Sequence, residues 1–188
     1  MLFRSPNMFY KKLDLTAPNI SFKRDELKLV QVSDVHNRDK YKYTRAFEED
    51  ALPTPLKIYA LPQEVSDAIV AQLPKSVLEK EIPKAFYMEM PKPCAESKHL
   101  PPHIDRARRC AINIYLACDG EETKFYDDVD GELQEKDSFV AKPNEAWLLD
   151  VSKPHSVSMK KSMLRSSISI SFRKLSFDKL NTLLQESV

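Results

Sequence analysis

Through the second half of the chain, polar and apolar residues alternate in short runs. The alternation predicts strands at 86–90, 110–117, 123–127, 138–142, 146–150, 155–159 and 166–172. Asp119-Gly120, Asp130-Gly131, Pro143-Asn144 and Lys153-Pro154 supply turn chemistry between them. Short strands at regular spacing imply an antiparallel sandwich or barrel. The first half is mixed. Residues 26–32 and 56–61 read as strands. Pro62 opens an amphipathic helix with Val65, Ala68, Ile69 and Leu73 at helical spacing, and Pro74 ends it. The charged, tyrosine-rich stretch 37–53 reads as a loop or an ordered lid. A last helix, 177–185, carries Leu180, Leu183 and Leu184 on one side, with Ser176 as its cap. The expectation is a single domain: an α/β support over 1–84, a β core over 85–175 and a helix over 176–188.

Strand parity sorts these residues further, because successive side chains point to opposite faces. Asn113 and Tyr115 share one face of their strand, and Ile112, Ile114 and Leu116 share the other. Arg165, Ser167 and Ser169 fall opposite Ile168, Ile170 and Phe172. Each strand thus has a polar row and an apolar row. Helices covering the apolar rows would leave the polar rows facing an interior pocket; an ordinary sandwich would turn them to water.

Composition narrows the function classes. Only two glycines stand against thirteen prolines, and no phosphate-cradling glycine loop is present, which sets aside P-loop and dinucleotide-binding folds. The net charge of +1 carries no strong nucleic-acid signal. No segment approaches the roughly 20 apolar residues of a membrane span, and the first fifteen residues lack the apolar run of a signal peptide. Cys94, Cys110 and Cys118 have no zinc-finger spacing and fit reduced thiols, so a cytoplasmic location is expected.

One constellation carries chemistry. His103-Ile104-Asp105 is followed by His155 and then by Arg165. Two imidazoles and a carboxylate can occupy one face of an octahedral iron and leave the other open, as in non-haem Fe(II) oxygenases. An arginine shortly after the second histidine is placed to hold a dicarboxylate. Taken singly, His-x-Asp is a weak signal, His155 fits a surface turn, and Arg165 fits a solvated cation. In this order and strand context they fit a metal site.

From Pro102 to Lys174 the chain resembles the iron(II)- and 2-oxoglutarate-dependent dioxygenase superfamily, particularly its prolyl-hydroxylase-like branch. Besides the triad, the resemblance rests on the strand from Arg109 to Leu116, on Glu122-Thr123-Lys124-Phe125-Tyr126, on Trp147 to Asp150 leading to Pro154-His155-Ser156-Val157, and on Arg165-Ser166-Ser167. It implies a mainly β fold with flanking helices, a double-stranded β-helix or distorted jelly roll. It also implies Fe(II) on His103, Asp105 and His155, with O2 and 2-oxoglutarate as cosubstrates. Arg165 would meet the distal carboxylate of 2-oxoglutarate, with Ser167 and Tyr115 as hydrogen-bonding neighbours and Asn113 as a further contact. Gly120-Glu121 departs from the family's usual Gly-Gly, so that turn is expected to differ.

The implied activity is hydroxylation, or demethylation through it, of a small molecule, protein or nucleotide that the sequence does not identify; nor does it give the oligomeric state. Arg106, Arg108 and Arg109, with Lys160 and Lys161, would either rim the pocket and favour an anionic substrate or be solvated loop charges. Two other classes remain in view: a non-catalytic cupin-like binding or structural protein, and a zinc hydrolase in which Arg165 has no role.

Overall fold

The computed structural model describes residues 8–17, 22–32, 56–90, 99–105, 108–158 and 164–186. The stretch 37–53, Cys94, Arg106, Lys160 and Lys161 lie outside them. In chain order the strands are β1 (Tyr10–Leu13), β2 (Lys28–Val32), β3 (Lys57–Ala60), β4 (Lys84–Met90), β5 (His99–His103) and β6 (Cys110–Ala117). They continue as β7 (Glu122–Val129), β8 (Glu132–Val140), β9 (Ala146–Leu149), β10 (His155–Ser158) and β11 (Arg165–Phe172). The helices are α1 (Gln63–Val70), α2 (Lys75–Leu78) and α3 (Phe177–Gln185).

The strands form two antiparallel sheets. Seven run in the order β1-β9-β6-β11-β4-β3-β2 and four in the order β5-β10-β7-β8. Strands consecutive in the core, such as β6 and β7 or β9 and β10, lie in opposite sheets. That winding is the jelly roll, or double-stranded β-helix, expected from the sequence.

The apolar rows of β6 and β11 face outward onto helices. Ile112, Ile114, Ile168, Ile170 and Phe172 form one buried cluster with Val65 and Ile69 of α1, Val77 of α2, and Leu180 and Leu183 of α3. A second cluster, including Phe9, Tyr115, Phe125, Phe139 and Leu149, fills the space between the sheets. Ser176 caps α3 by accepting from the Lys179 amide, as its position suggested. The carboxylate of Glu81 accepts from the amides of Arg173, Lys174 and Leu175, which pins the turn between β11 and α3.

Several boundaries differ from expectation for identifiable reasons. Glu26 closes a 3-10 turn, so β2 begins at Lys28. The first helix ends at Val70, short of the expected stop at Pro74, and Pro74 instead serves as the N-cap of the short α2, which the pattern did not separate. β8 is nine residues long where only its apolar end was expected. Its polar half pairs with β7 across the Asp130-Gly131 turn, whose φ values of 54° and 87° suit a two-residue hairpin loop. β1 and β5 were not expected at all. β1 reads Tyr-Lys-Lys-Leu and lies at the edge of the larger sheet, while β5 contains Pro101-Pro102.

Replacing Ile170 by Ala, a fully buried residue of the outer cluster, is expected to lower unfolding free energy by about 2–5 kcal/mol. Val30→Ala, on exposed β2, should change it by no more than about 0.5 kcal/mol. Urea denaturation of the two variants beside the parent measures both.

Candidate metal centre

His103 ends β5 and His155 begins β10, and the two residues are direct partners in the register. Their rings lie 4.3 Å apart between centroids. On the other side His155 faces Phe125 of β7, with ring centroids 5.9 Å apart. Asp105 lies two residues past β5, where its amide donates to the carbonyl of Val151 at 3.0 Å. That contact turns the carboxylate toward the histidines, and Asp105 Oδ1 lies 3.6 Å from His103 Nε2. One ligand atom from each of His103, Asp105 and His155 lies within 4.8 Å of the others.

The electrostatics suit a cation. His155 is buried and its Nδ1 lies 2.9 Å from the Lys153 carbonyl, an arrangement that leaves Nε2 as the free lone pair. Burial first, and then the neighbouring His103, push its pKa down to about 3, so the ring is neutral at ordinary pH. For Asp105, burial favours the neutral acid. Arg108 and the two histidines outweigh it and bring the carboxyl down to about 2. A neutral imidazole and an ionised carboxylate are the forms that ligate metal.

A cavity of about 80 Å³ is lined by all three of these residues and by Arg108, Asn113, Thr123, Arg165 and Ser167. Met88, Met90, Leu100 and Val157 supply an apolar wall. Arg165, the first residue of β11, is buried. Its Nη2 donates to Tyr115 Oη at 3.1 Å and to Thr123 Oγ1 at 3.3 Å. Its Nη1 is buried with no hydrogen-bond partner, and among the described residues no carboxylate pairs with the guanidinium. Asn113 Oδ1 is likewise buried and unpartnered. Two polar groups left unsatisfied in one cavity are an unusual expense for a folded protein unless a ligand meets them.

Every candidate metal ligand and 2-oxoglutarate contact therefore lines this cavity or, in the case of Tyr115, hydrogen-bonds to a residue that does. His155 is not on a surface turn and Arg165 is not solvated. Arg108 is corrected: it does not rim the pocket as a free cation but turns inward, with Nε donating to Asp105 Oδ2 at 2.5 Å and Nη1 to Ser169 Oγ at 2.8 Å. Arg109 is exposed, as a solvated charge should be. Thr123 and the two methionines were missed as site residues. Parity on β7 and β4 would have found them had a pocket face been assigned to those strands. At the Gly120-Glu121 turn the second position is a glutamate with a local role. Gly120 has φ 74°, and the Glu121 side chain stitches the turn by accepting from the Asp119 amide at 2.7 Å.

No protein-family model matches the chain, and no curated protein matches it. Among solved structures it is similar to vicilin from hazelnut (Corylus avellana), at 11% identity and a TM-score of 0.40, over 63% of this chain and 30% of that one. It is also similar to vicilin from Capsicum annuum, at 8% identity and a TM-score of 0.41, over 75% of this chain and 41% of that one. The chain spans less than half the length of either vicilin chain. No described helix is long and apolar enough to cross a membrane.

Acid should destabilise the metal-free protein from an unusually high pH. The unfolded chain protonates His155 near its ordinary value of 6.5, whereas the folded chain resists until about 3. The stability held by the neutral ring is thus complete above about 6.5 and falls as pH drops toward 3. Asp105 acts in the same direction lower down, between its ordinary 3.8 and about 2. Denaturation midpoints measured from pH 7 to 4 should fall less steeply in His155→Asn than in the parent.

Proposed function

We propose that this protein is an Fe(II)- and 2-oxoglutarate-dependent dioxygenase that hydroxylates, or demethylates through hydroxylation, a substrate not yet identified. The observation that carries the reading is the sharing of one cavity by the His103, Asp105 and His155 donors and by the unsatisfied Nη1 of Arg165. A metal triad alone would serve many chemistries. A buried guanidinium with no carboxylate partner among the described residues asks for an anion, and a 2-oxo diacid can reach from a metal to such a group.

His103, Asp105 and His155 would hold the ferrous ion. When bound, the ion would supply the activation of O2 coupled to oxidative decarboxylation of 2-oxoglutarate. Arg165 would orient the distal carboxylate of the diacid through its planar fork, while Tyr115 and Thr123 hold the fork in place. Ser167 and Asn113, from the same cavity wall, are placed to contact the diacid. Met88, Met90, Leu100 and Val157 keep water from the pocket, which strengthens the ion pair inside.

A specific contact also favours a second reading. Arg108 already gives Asp105 a cation, as a cupin-like binding module without metal would need. The two readings separate under anaerobic conditions, where Fe(II) and 2-oxoglutarate together should produce a weak visible charge-transfer band only in the dioxygenase.

His103→Ala and Asp105→Ala are each expected to abolish Fe(II)-dependent formation of succinate from 2-oxoglutarate; undiminished succinate in both would reject the assignment. Arg165→Ala should leave Fe(II) binding in place and weaken 2-oxoglutarate at least about tenfold, since losing one partner of a buried charged contact costs roughly 2 kcal/mol or more. Anaerobic calorimetry giving the parent's affinity would hand that role to another cation.

A further inference from the structure

The inward turn of Arg108 gives it a task that neither the triad nor the cosubstrate contacts include. Its Nε donates to Asp105 Oδ2 at 2.5 Å, while the other oxygen, Oδ1, is the one 3.6 Å from His103 Nε2. The guanidinium is itself held: Nη1 donates to Ser169 Oγ at 2.8 Å and lies 3.9 Å from the sulfur of Met88. Ser169 is fully buried in β11, and the Arg109 amide donates to Phe172 at the end of the same strand. The arginine is thus fastened to a rigid strand at one end and to one oxygen of the candidate ligand at the other.

We propose that Arg108 is a positioning residue that reserves Asp105 Oδ2 for itself and so presents the carboxylate to metal through Oδ1 alone. The inference rests on the metal reading above and adds ion selectivity to it. A carboxylate confined to one oxygen suits a transition ion bound alongside two imidazoles. It disfavours Ca2+, a harder ion that takes many oxygens and often both from one carboxylate. Partners that orient a metal ligand in this way typically matter by about ten- to hundredfold in metal affinity. The fork is essential to the task, because it bridges Asp105 and Ser169 at once. An ammonium keeps the charge but not that geometry.

Two variants test this in the full chain, with Co2+ and Ca2+ as separate probes in calorimetric titrations. Arg108→Lys retains a cation beside the buried carboxylate. Ser169→Ala removes the far anchor without touching Asp105, and so serves if the lysine variant does not fold. The expected result is a Co2+ affinity about tenfold weaker than the parent's, Ca2+ affinity unchanged or stronger, and a shifted visible absorption of the Co2+-loaded protein. Equal losses for both ions would mark a general loosening and overturn the selectivity role. So would parent-like affinities and an unshifted spectrum in a folded variant. A parent that binds neither Co2+ nor Fe2+ would sink the metal reading itself, and this inference with it. A parent that binds both, with variants that match it, would sink the inference alone.

Discussion

The site depends on a two-sided burial of β6 and β11. Both strands are covered on one face by helices and on the other by the four-stranded sheet, so most side chains of both rows are buried. The isoleucine rows meet α1, α2 and α3, where apolar area is most extensive. Asn113, Tyr115, Arg165, Ser167 and Ser169 are left on the inner face of the same strands. Polar groups in such a place must be satisfied by one another or by something bound. Tyr115 and Ser169 are satisfied by Arg165 and Arg108. Asn113 Oδ1 and one nitrogen of Arg165 are not, and that residue of unmet demand is the physical basis for a ligand.

The charges in the cavity follow the same logic at two different ends. At the end formed by His103, Asp105 and His155, the Asp105 carboxylate and the Arg108 guanidinium compensate each other's charge. At the other end Arg165 has hydroxyl neighbours and, among the described residues, no carboxylate. A buried charge without an opposite one is costly, so an anion meeting Arg165 would be stabilising. Finding both arginines within one cavity of about 80 Å³ separates the groups that shape the site from the one that would grip a substrate-sized anion.

Much of this was legible in the residue order, and what was not has definite causes. The alternation over β6 and β11 showed a polar and an apolar row because each face has one chemical character, while which row faced a pocket was left open until the helices were seen to cover the apolar one. α3 was legible because its leucines, cap and length agree. β8 was only partly legible: its polar half sits in a hairpin where a good turn, not a buried face, maintains the pairing. β1 is four residues of an edge strand with two lysines, too short for any period to register. The role of Arg108 could not be read from composition, since three arginines near the triad look alike until one is seen to face inward. In the N-terminal support β2, β3 and α1 were legible, while β1 joins the larger sheet only through β9, far along the chain, and α2 is a single turn after Pro74.

The two prolines before His103 show how a feature that argues against a strand can be what the site requires. Between His103–His155 and Leu100–Val157 the register slips, so that Pro101 and Pro102 stand opposite the single residue Ser156. This is a bulge on an edge strand, the place where proline is tolerated because it has no amide to give to a ladder. A bulge adds local twist and re-aims the residue that follows it. Here that residue is His103, brought level with His155, while the chain leaves the sheet at once and lets Asp105 swing to the Val151 carbonyl. The bulge ends the strand at the histidine, and the triad closes because the strand stops there.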